Sequence, residues 1–421
     1  MQPVIANSAF ALGQDLLFAG DYEVVGPDPR LGHAEVAGLG VDMIFIHYHH
    51  RHEFEGGEPT GLWGSICPQS DTPDWDELDR TVKSAQASFR KVALYPVGWA
   101  HMIPARLGET VLDVDPEVLS DWVVKVVERY WHKVDLFPIF YEMNVFDLFF
   151  QATHGHAYGA EQKRHIVQCL CRCVEKVGAQ LGPEALSKLT AGTFVELTQS
   201  SFYWMSEGKL LELPRGSVLI NGALSPFDLL NTAQALNGED GGSSRYTSAV
   251  RQLLHTLVFW NADDSGAPNT VRDDLQRLVA HGGVYDPIHN PEGFVHYLIA
   301  GWDAQPQNTY EYLLERMLPA HRVPTSAECL QHHFGAFDAY LTDQDVPEYV
   351  KPRLVGFVLD DVFKCRKQSG ITSATIPAES IVGNTRVASA PVTVTDIGHR
   401  YAQLISAYKN QYSPAYKQTN A

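Results

Sequence analysis

Short apolar runs alternate with helix-period stretches along most of this chain. The first clear unit is VDMIFIHYHH (41–50), an apolar run that ends in imidazoles. A long loop separates it from WDELDRTVKSAQASFRK (75–91), where Leu78, Val82 and Ala85 recur at spacings of three and four and predict an amphipathic helix. Asp71, Thr72 or Asp74 supplies its N-cap. VALYPVGWAHMIP (92–104) is the next predicted strand. DPEVLSDWVVKVVERYWHK (115–133) then predicts a helix, with Pro116 in the first turn and Leu119, Val123, Val126 and Val127 on one stripe.

The alternation continues. VDLFPIFYEMN (134–144) leads to a helix over 160–181, and LTAGTFVEL (189–197) and SVLINGALS (217–225) follow as buried strands. Later strand candidates are 254–263, 293–303, 353–361 and GITSATIP (370–377), and 399–412 predicts a closing helix. Strands apolar on both faces and separated by helices imply a parallel sheet covered on both sides. Seven or eight such units point to a closed (β/α)₈ TIM barrel with extended loops. No glycine-rich phosphate loop follows an early strand, which argues against an open dinucleotide-binding sheet. The expected organisation is one barrel domain over 1–411 and a flexible tail over 412–421.

Composition narrows the setting. With 45% hydrophobic and 19% charged residues and no apolar run of roughly eighteen residues, a soluble globular protein is expected. The start, MQPVIANSAFALG, lacks the basic and apolar regions of a secretory signal, so a cytoplasmic location is expected. Cys169, Cys171 and Cys173 crowd one segment while Cys67, Cys329 and Cys365 stand alone, which is no disulfide framework. A net charge of -18 disfavours nucleic acid and anionic membrane as partners and leaves a small-molecule substrate as the expectation.

In such a barrel, chemistry sits at the carboxyl ends of the strands. Read to those ends, the predicted strands offer His47, His49 and His50; Trp99 and His101; Glu142 and Asn144; Glu196; Asn221; Asn261 and Asp263; Asp360 and Asp361. Aromatic side chains near the rim, Trp63, Trp75, Trp99, Tyr203 and Trp204, are candidates for stacking on sugars or apolar ligands.

Three of these segments, GVDMIFIHYHH, VALYPVGWAHMIP and FPIFYEMNVFDLFF, resemble in order and character the strand ends of the (β/α)₈-barrel retaining glycosidases of clan A, nearest the β-xylosidase and α-iduronidase family. The resemblance covers the first half of the chain. It implies His47 as the histidine of the first motif, Glu142 as the general acid/base and Asn144 as the final asparagine of the third. Tyr141 stands where the clan has the asparagine that binds the sugar 2-hydroxyl, and Met143 where it has proline. The implied reaction is hydrolysis of a glycoside or related small polar molecule, with no cofactor. His47, His49, Trp99, His101, Tyr141, Asn144 and Asn221 are then the substrate-binding set.

The residues themselves support an acid at Glu142. A carboxyl group among Phe140, Tyr141, Phe146 and Phe149 is desolvated, which disfavours its charged form and raises its pKa toward a general acid's range. Retention needs a second carboxylate about 5–5.5 Å away, and inversion about 6.5–9.5 Å. The clan's nucleophile, a glutamate ending the seventh strand, has no clean match; Asp360, Asp361 and Glu196 are the candidates. Two alternatives stay open. His47 and His49 share a strand face and resemble the His-x-His metal signature of amidohydrolases, pointing to a metal-dependent hydrolase or lyase. The later strands LTAGTFVEL and SVLINGALS end without the histidines that set requires, so no metal is expected. The other alternative is a barrel that binds carbohydrate without catalysis. Serine hydrolysis has no GxSxG elbow to support it.

Overall fold

The computed structural model describes residues 17–23, 32–47, 61–67, 70, 72–98, 103–140, 155, 160–186, 188–194, 217–223, 250–258, 294–302, 354–359, 372–374, 392–396 and 398–407. The first of the expected helices, α3 (Asp76–Ser88), follows α1 (His33–Gly38) and α2 (Gly61–Ile66) and buries Leu78, Val82 and Ala85. Asp74, one of the three expected caps, accepts the Asp76 N–H at 3.2 Å. The helix stops short of the expected 91 because Phe89 is extended and Lys91 already belongs to a strand.

Helix α4 (Pro116–Tyr130) begins as its sequence dictates, with Asp115 accepting the Glu117 N–H at 2.8 Å and Pro116 in the first turn, where its missing N–H costs nothing. Leu119, Val123, Val126 and Val127 are all fully buried. Helix α5 (Ala160–Leu186) runs as expected to residue 181 and then kinks at Gly182, whose φ of 84° is open to glycine, before Pro183. Cys169 and Cys173 lie buried in α5. On the outer side Lys176 meets Asp121 at 2.6 Å and Glu117 at 2.9 Å. Exposed pairs of this kind add little stability.

Among the described residues nine strands form one sheet: β1 (Leu17–Glu23), β2 (Met43–His47), β3 (Lys91–Leu94), β4 (Phe137–Pro138), β5 (Leu189–Phe194), β6 (Ser217–Ala223), β7 (Val250–Val258), β8 (Phe294–Trp302) and β9 (Leu354–Leu359). Their order is β3-β2-β1-β9-β8-β7-β6-β5-β4, and every pairing is parallel. The two end strands of that order, β3 and β4, are themselves bridged in parallel, Ala93 to Leu136 and Gly98 to Phe140. Strand β4 is short because Pro138 has no N–H to give to a ladder.

Two assignments differ from the sequence expectation. LFAGDYE forms β1, a strand ahead of VDMIFIHYHH, although its apolar run closes on Asp-Tyr-Glu, whose acidic residues favour loops. Within GITSATIP, β10 (Thr372–Ala374) pairs antiparallel with β11 (Val392–Val394) in a separate two-stranded ribbon. A three-residue strand pairs most cheaply with a local antiparallel partner, and the sheet already takes β9 beside β1. The closing helix is present over 398–407, with Tyr401 and Ile405 buried. Residues 226–249 and 303–350, expected to hold loops and helical pieces, lie outside the described residues.

The amino ends of the strands are tied for stability. Lys91 Nζ meets Asp135 at 2.9 Å, and the other oxygen of that carboxylate accepts the Val92 N–H at 2.9 Å. Lys188 Nζ donates to the Trp131 and Val134 carbonyls at 2.6 and 2.8 Å, closing the carboxyl end of α4, and burial holds its pKa below the usual lysine range. Among the described residues no helix is long and apolar enough to cross a membrane.

Candidate functional site

The opposite edge, where the strands end, is the one at which the sequence pattern expects chemistry. His49, Trp99, His101, Tyr141, Glu142, Asn144, Glu196 and Asp360 lie outside the described residues. What is described is the backbone that delivers most of them. His47 is the last residue of β2 and Asn221 the fifth of β6. The described chain reaches Gly98, one residue before Trp99, and Phe140, two residues before Glu142, and these two are bridge partners. The last described residues ahead of Trp99 and Glu142 thus stand side by side.

Register extends the row. Glu23, at the end of β1, pairs with His47, and Asp21 with Phe45. On the other flank of β1, Ala19 pairs with Val358 and Gly20 with Leu359. Asn221 stands between Phe194 and His255, and His255 is level with Tyr297. Glu23, His255 and Tyr297 are absent from the residues that the sequence pattern singles out. For Glu23 a signal exists: LLFAGDYE is an apolar run closing on alternating polar residues, the same grammar as MIFIHYHH.

Cα partners in a parallel pair share a sheet face, and residues two apart on one strand share it too. Phe45 and Ala93 are partners, and the rings of Phe45 and Tyr95 lie 6.3 Å apart, both buried. The Tyr95 N–H donates to the Ile46 carbonyl at 3.2 Å, which carries the β2 pairing one residue past β3. Ala93 in turn bridges Leu136, which shares its face with Phe140. One face therefore runs from Ala19, Asp21 and Glu23 through Phe45 and His47 to Ala93, Tyr95, Leu136 and Phe140.

Between their two bridges β3 uses one more residue than β4, from Ala93 to Gly98 against Leu136 to Phe140. An extra residue bends a strand and re-aims the side chains beyond it. Here it is pinned from below: the indole N–H of buried Trp122 donates to the Pro96 carbonyl at 2.8 Å. Gly98 closes the segment with φ of 89°, a backbone angle that side chains disfavour.

Trp122 is the centre of an aromatic column. Trp63 stacks on it at 5.4 Å and Trp75 at 5.9 Å, with ring planes within 3° of parallel, and Arg129 caps the column 5.1 Å over Trp75. This corrects the expectation that Trp63 and Trp75 offer rings to a ligand. Trp63 is only 4% exposed, and both sides of the column are taken by protein, because α2, α3 and α4 meet there. Tyr203 and Trp204 lie outside the described residues.

A cavity of about 450 Å³ lies between the turn over Val111–Asp113 and the start of α5. Glu109, Asp113, Glu161 and His165 contribute to its lining. The polar groups on its walls serve the loop. Asp113 accepts the Glu109 and Thr110 N–H groups at 2.8 and 3.0 Å. His165 Nε2 lies 3.1 and 2.9 Å from the Val111 and Val114 carbonyls; since carbonyls only accept, this nitrogen carries the proton. Among the described residues no group of three or more His, Cys, Asp or Glu could hold a metal ion.

Comparison with known proteins places the fold. No family model matches the chain, and no curated protein sequence matches it. Solved structures do. The β-glucosidase from Thermotoga maritima, in its complex with noeuromycin, aligns over 94% of this chain and 98% of its own with a TM-score of 0.53 and 10% identity. Its castanospermine complex aligns over 93% and 97%, at 0.51 and 10%. A β-glucosidase from Exiguobacterium marinum aligns over 94% and 99%, at 0.50 and 12%. These are clan A glycosidases, the clan that the strand-end motifs resemble. In fold the chain is similar to them, and its described strands form a parallel sheet.

Proposed function

We propose that the chain is a glycoside hydrolase-like enzyme with one (β/α) barrel domain over 1–411, acting on a glycoside or related small polar molecule. The parallel strand order, whose two end strands are bridged, supports the barrel reading, as does the likeness to clan A β-glucosidases. In this reading Glu142 is the general acid/base. His47, His49, Trp99, His101, Tyr141, Asn144 and Asn221 bind substrate.

The observation that carries the assignment is the bridge of Phe140 to Gly98. Phe140 is the last described residue before Glu142, so in sequence the proposed acid comes two residues after the bridged pair. For the second carboxylate the candidates are Asp360, Asp361 and Glu196, which follow β9 and β5 in sequence.

Glu142→Gln tests the reading with a panel of aryl glycosides. General acid catalysis contributes on the order of 10²–10⁴ in rate, so kcat on a substrate with a poor leaving group falls by at least a hundredfold. An active wild type whose Glu142→Gln variant retains full activity removes the assignment. A wild type inert on the whole panel leaves the fold without this function.

A further inference from the structure

We propose that Trp63, Trp122, Trp75 and Tyr130 form a relay for a single oxidising equivalent, which ends as a radical on Tyr130 with the phenolic proton passed to Asp79. The relay lies in the helical layer and does not depend on the glycosidase-like reading of the strand ends. Four rings make one chain of contacts: Trp63 on Trp122 at 5.4 Å, Trp122 on Trp75 at 5.9 Å, and Trp75 edge-on to Tyr130 at 6.0 Å. The three indoles lie face to face within 3° of parallel, which couples their π orbitals. Trp63 and Trp122 are 4% and 3% exposed and Tyr130 is sealed, whereas Trp75 is half-buried and is the ring that solvent reaches. A one-electron radical oxidant in solution therefore meets the chain at Trp75.

Protons and charge decide where the radical settles. A ring that has lost an electron is a cation, and a cation is disfavoured beside another one. Arg129 lies 5.1 Å over Trp75 and 5.9 Å over Tyr130, and Lys133 lies 5.9 Å over Tyr130. A radical beside them escapes the repulsion by shedding its proton. The Trp122 indole N–H faces the Pro96 carbonyl, which accepts a hydrogen bond but is too weak a base to take the proton. The Tyr130 hydroxyl instead donates to the Asp79 carboxylate at 2.9 Å. In the full step the oxidant gains one electron from Trp75, Tyr130 returns one to the column as its O–H bond breaks, and the proton forms an O–H bond on Asp79. Asp79 is part-exposed, so it hands the proton to water and recovers its ion pair with Arg129. The product is a neutral tyrosyl radical held between α3 and α4.

Pulse radiolysis with the azide radical, a one-electron oxidant of indoles, tests the relay on wild type, Tyr130→Phe, Trp75→Phe, Asp79→Asn and Trp131→Phe. In wild type, tryptophyl absorption decays into tyrosyl absorption in a phase whose rate is independent of protein concentration. Tyr130→Phe and Trp75→Phe remove most of its amplitude. Asp79→Asn slows it by about tenfold or more, as loss of a positioned proton acceptor does, and heavy water slows the wild type. Trp131→Phe, which changes a half-buried indole outside the column, leaves the phase intact. If the ring variants do not fold, Asp79→Asn, which keeps the side chain's shape, carries the test together with the solvent isotope effect. A wild type without the phase, a phase that keeps most of its amplitude in folded Tyr130→Phe or Trp75→Phe, one that Asp79→Asn does not slow, or one that Trp131→Phe abolishes overturns the proposal.

Discussion

Trp122→Phe probes the link between the helical layer and the strand edge. The substitution removes the donor to the Pro96 carbonyl, a 2.8 Å bond in a buried setting, and trims the middle member of a three-ring stack. A buried hydrogen bond lost with its acceptor left in place costs about 1–3 kcal/mol. Each stacked pair adds about 0.5–1.5 kcal/mol beyond its buried area, and phenylalanine keeps part of both. The expected loss is about 2–4 kcal/mol, read as a lower urea midpoint at unchanged slope. Pro96 lies in the segment between Ala93 and Gly98 where β3 carries its extra residue, so the loss falls on the support of that segment. A double-mutant cycle with Trp63→Leu isolates the stack, with a coupling of about 0.5–1.5 kcal/mol expected. A Trp122→Phe loss under about 1 kcal/mol, or coupling indistinguishable from zero, refutes the column as a support for the edge.

Two further predictions concern charge. The guanidinium of Arg129 donates to Asp79 and holds its carboxyl below the usual range, with the Tyr130 hydroxyl adding a donor at 2.9 Å. A depressed folded pKa stabilises above the unfolded value of about 3.9 and ceases to do so as pH falls through the folded one. Asp79→Asn therefore lowers the urea midpoint at pH 7, and the gap to wild type closes in acid; a gap that persists at pH 2 refutes this. Lys188→Met takes the donor from the Trp131 and Val134 carbonyls at the end of α4 and costs about 1–3 kcal/mol in urea unfolding. Burial depresses the lysine's folded pKa, so its charged form is penalised on folding. The stability of wild type relative to Lys188→Met therefore rises with pH from the folded value toward about 10.4.

Periodicity makes the helices legible because their buried stripes are strong: Leu119, Val123, Val126 and Val127 are all sealed in α4, and α5 runs unbroken as far as Gly182. Strands are legible where an apolar run is long, as in MIFIH, and poorly bounded elsewhere. VALYPVGWAHMIP yields only three residues of β3, Val92 to Leu94, before Pro96 interrupts it. LFAGDYE is hard to recognise because two acidic residues within a strand look like a loop until a neighbouring histidine is set beside them. Aromatic residues near the edge mislead for a different reason. Composition cannot tell a ring that stacks on a sugar from one that stacks on another tryptophan, and only the meeting of α2, α3 and α4 decides it.

The order of strand ends is a property of the chain, whereas the face each residue takes is a property of register. Alternation has a period of two, so a slip of one residue exchanges the two faces of a strand entirely. A sequence can therefore propose Glu142 and both aspartates after β9 without ranking Asp360 against Asp361. Pairing fixes parity only within the described strands: Ala93 with Leu136 ahead of β4, and Ala19 with Val358 and Gly20 with Leu359 in β9. Mutagenesis ranks the aspartates instead: the one whose change to asparagine abolishes hydrolysis while the other's does not is the proposed partner of Glu142, and if neither Asp360→Asn nor Asp361→Asn lowers kcat, both are removed from the reading.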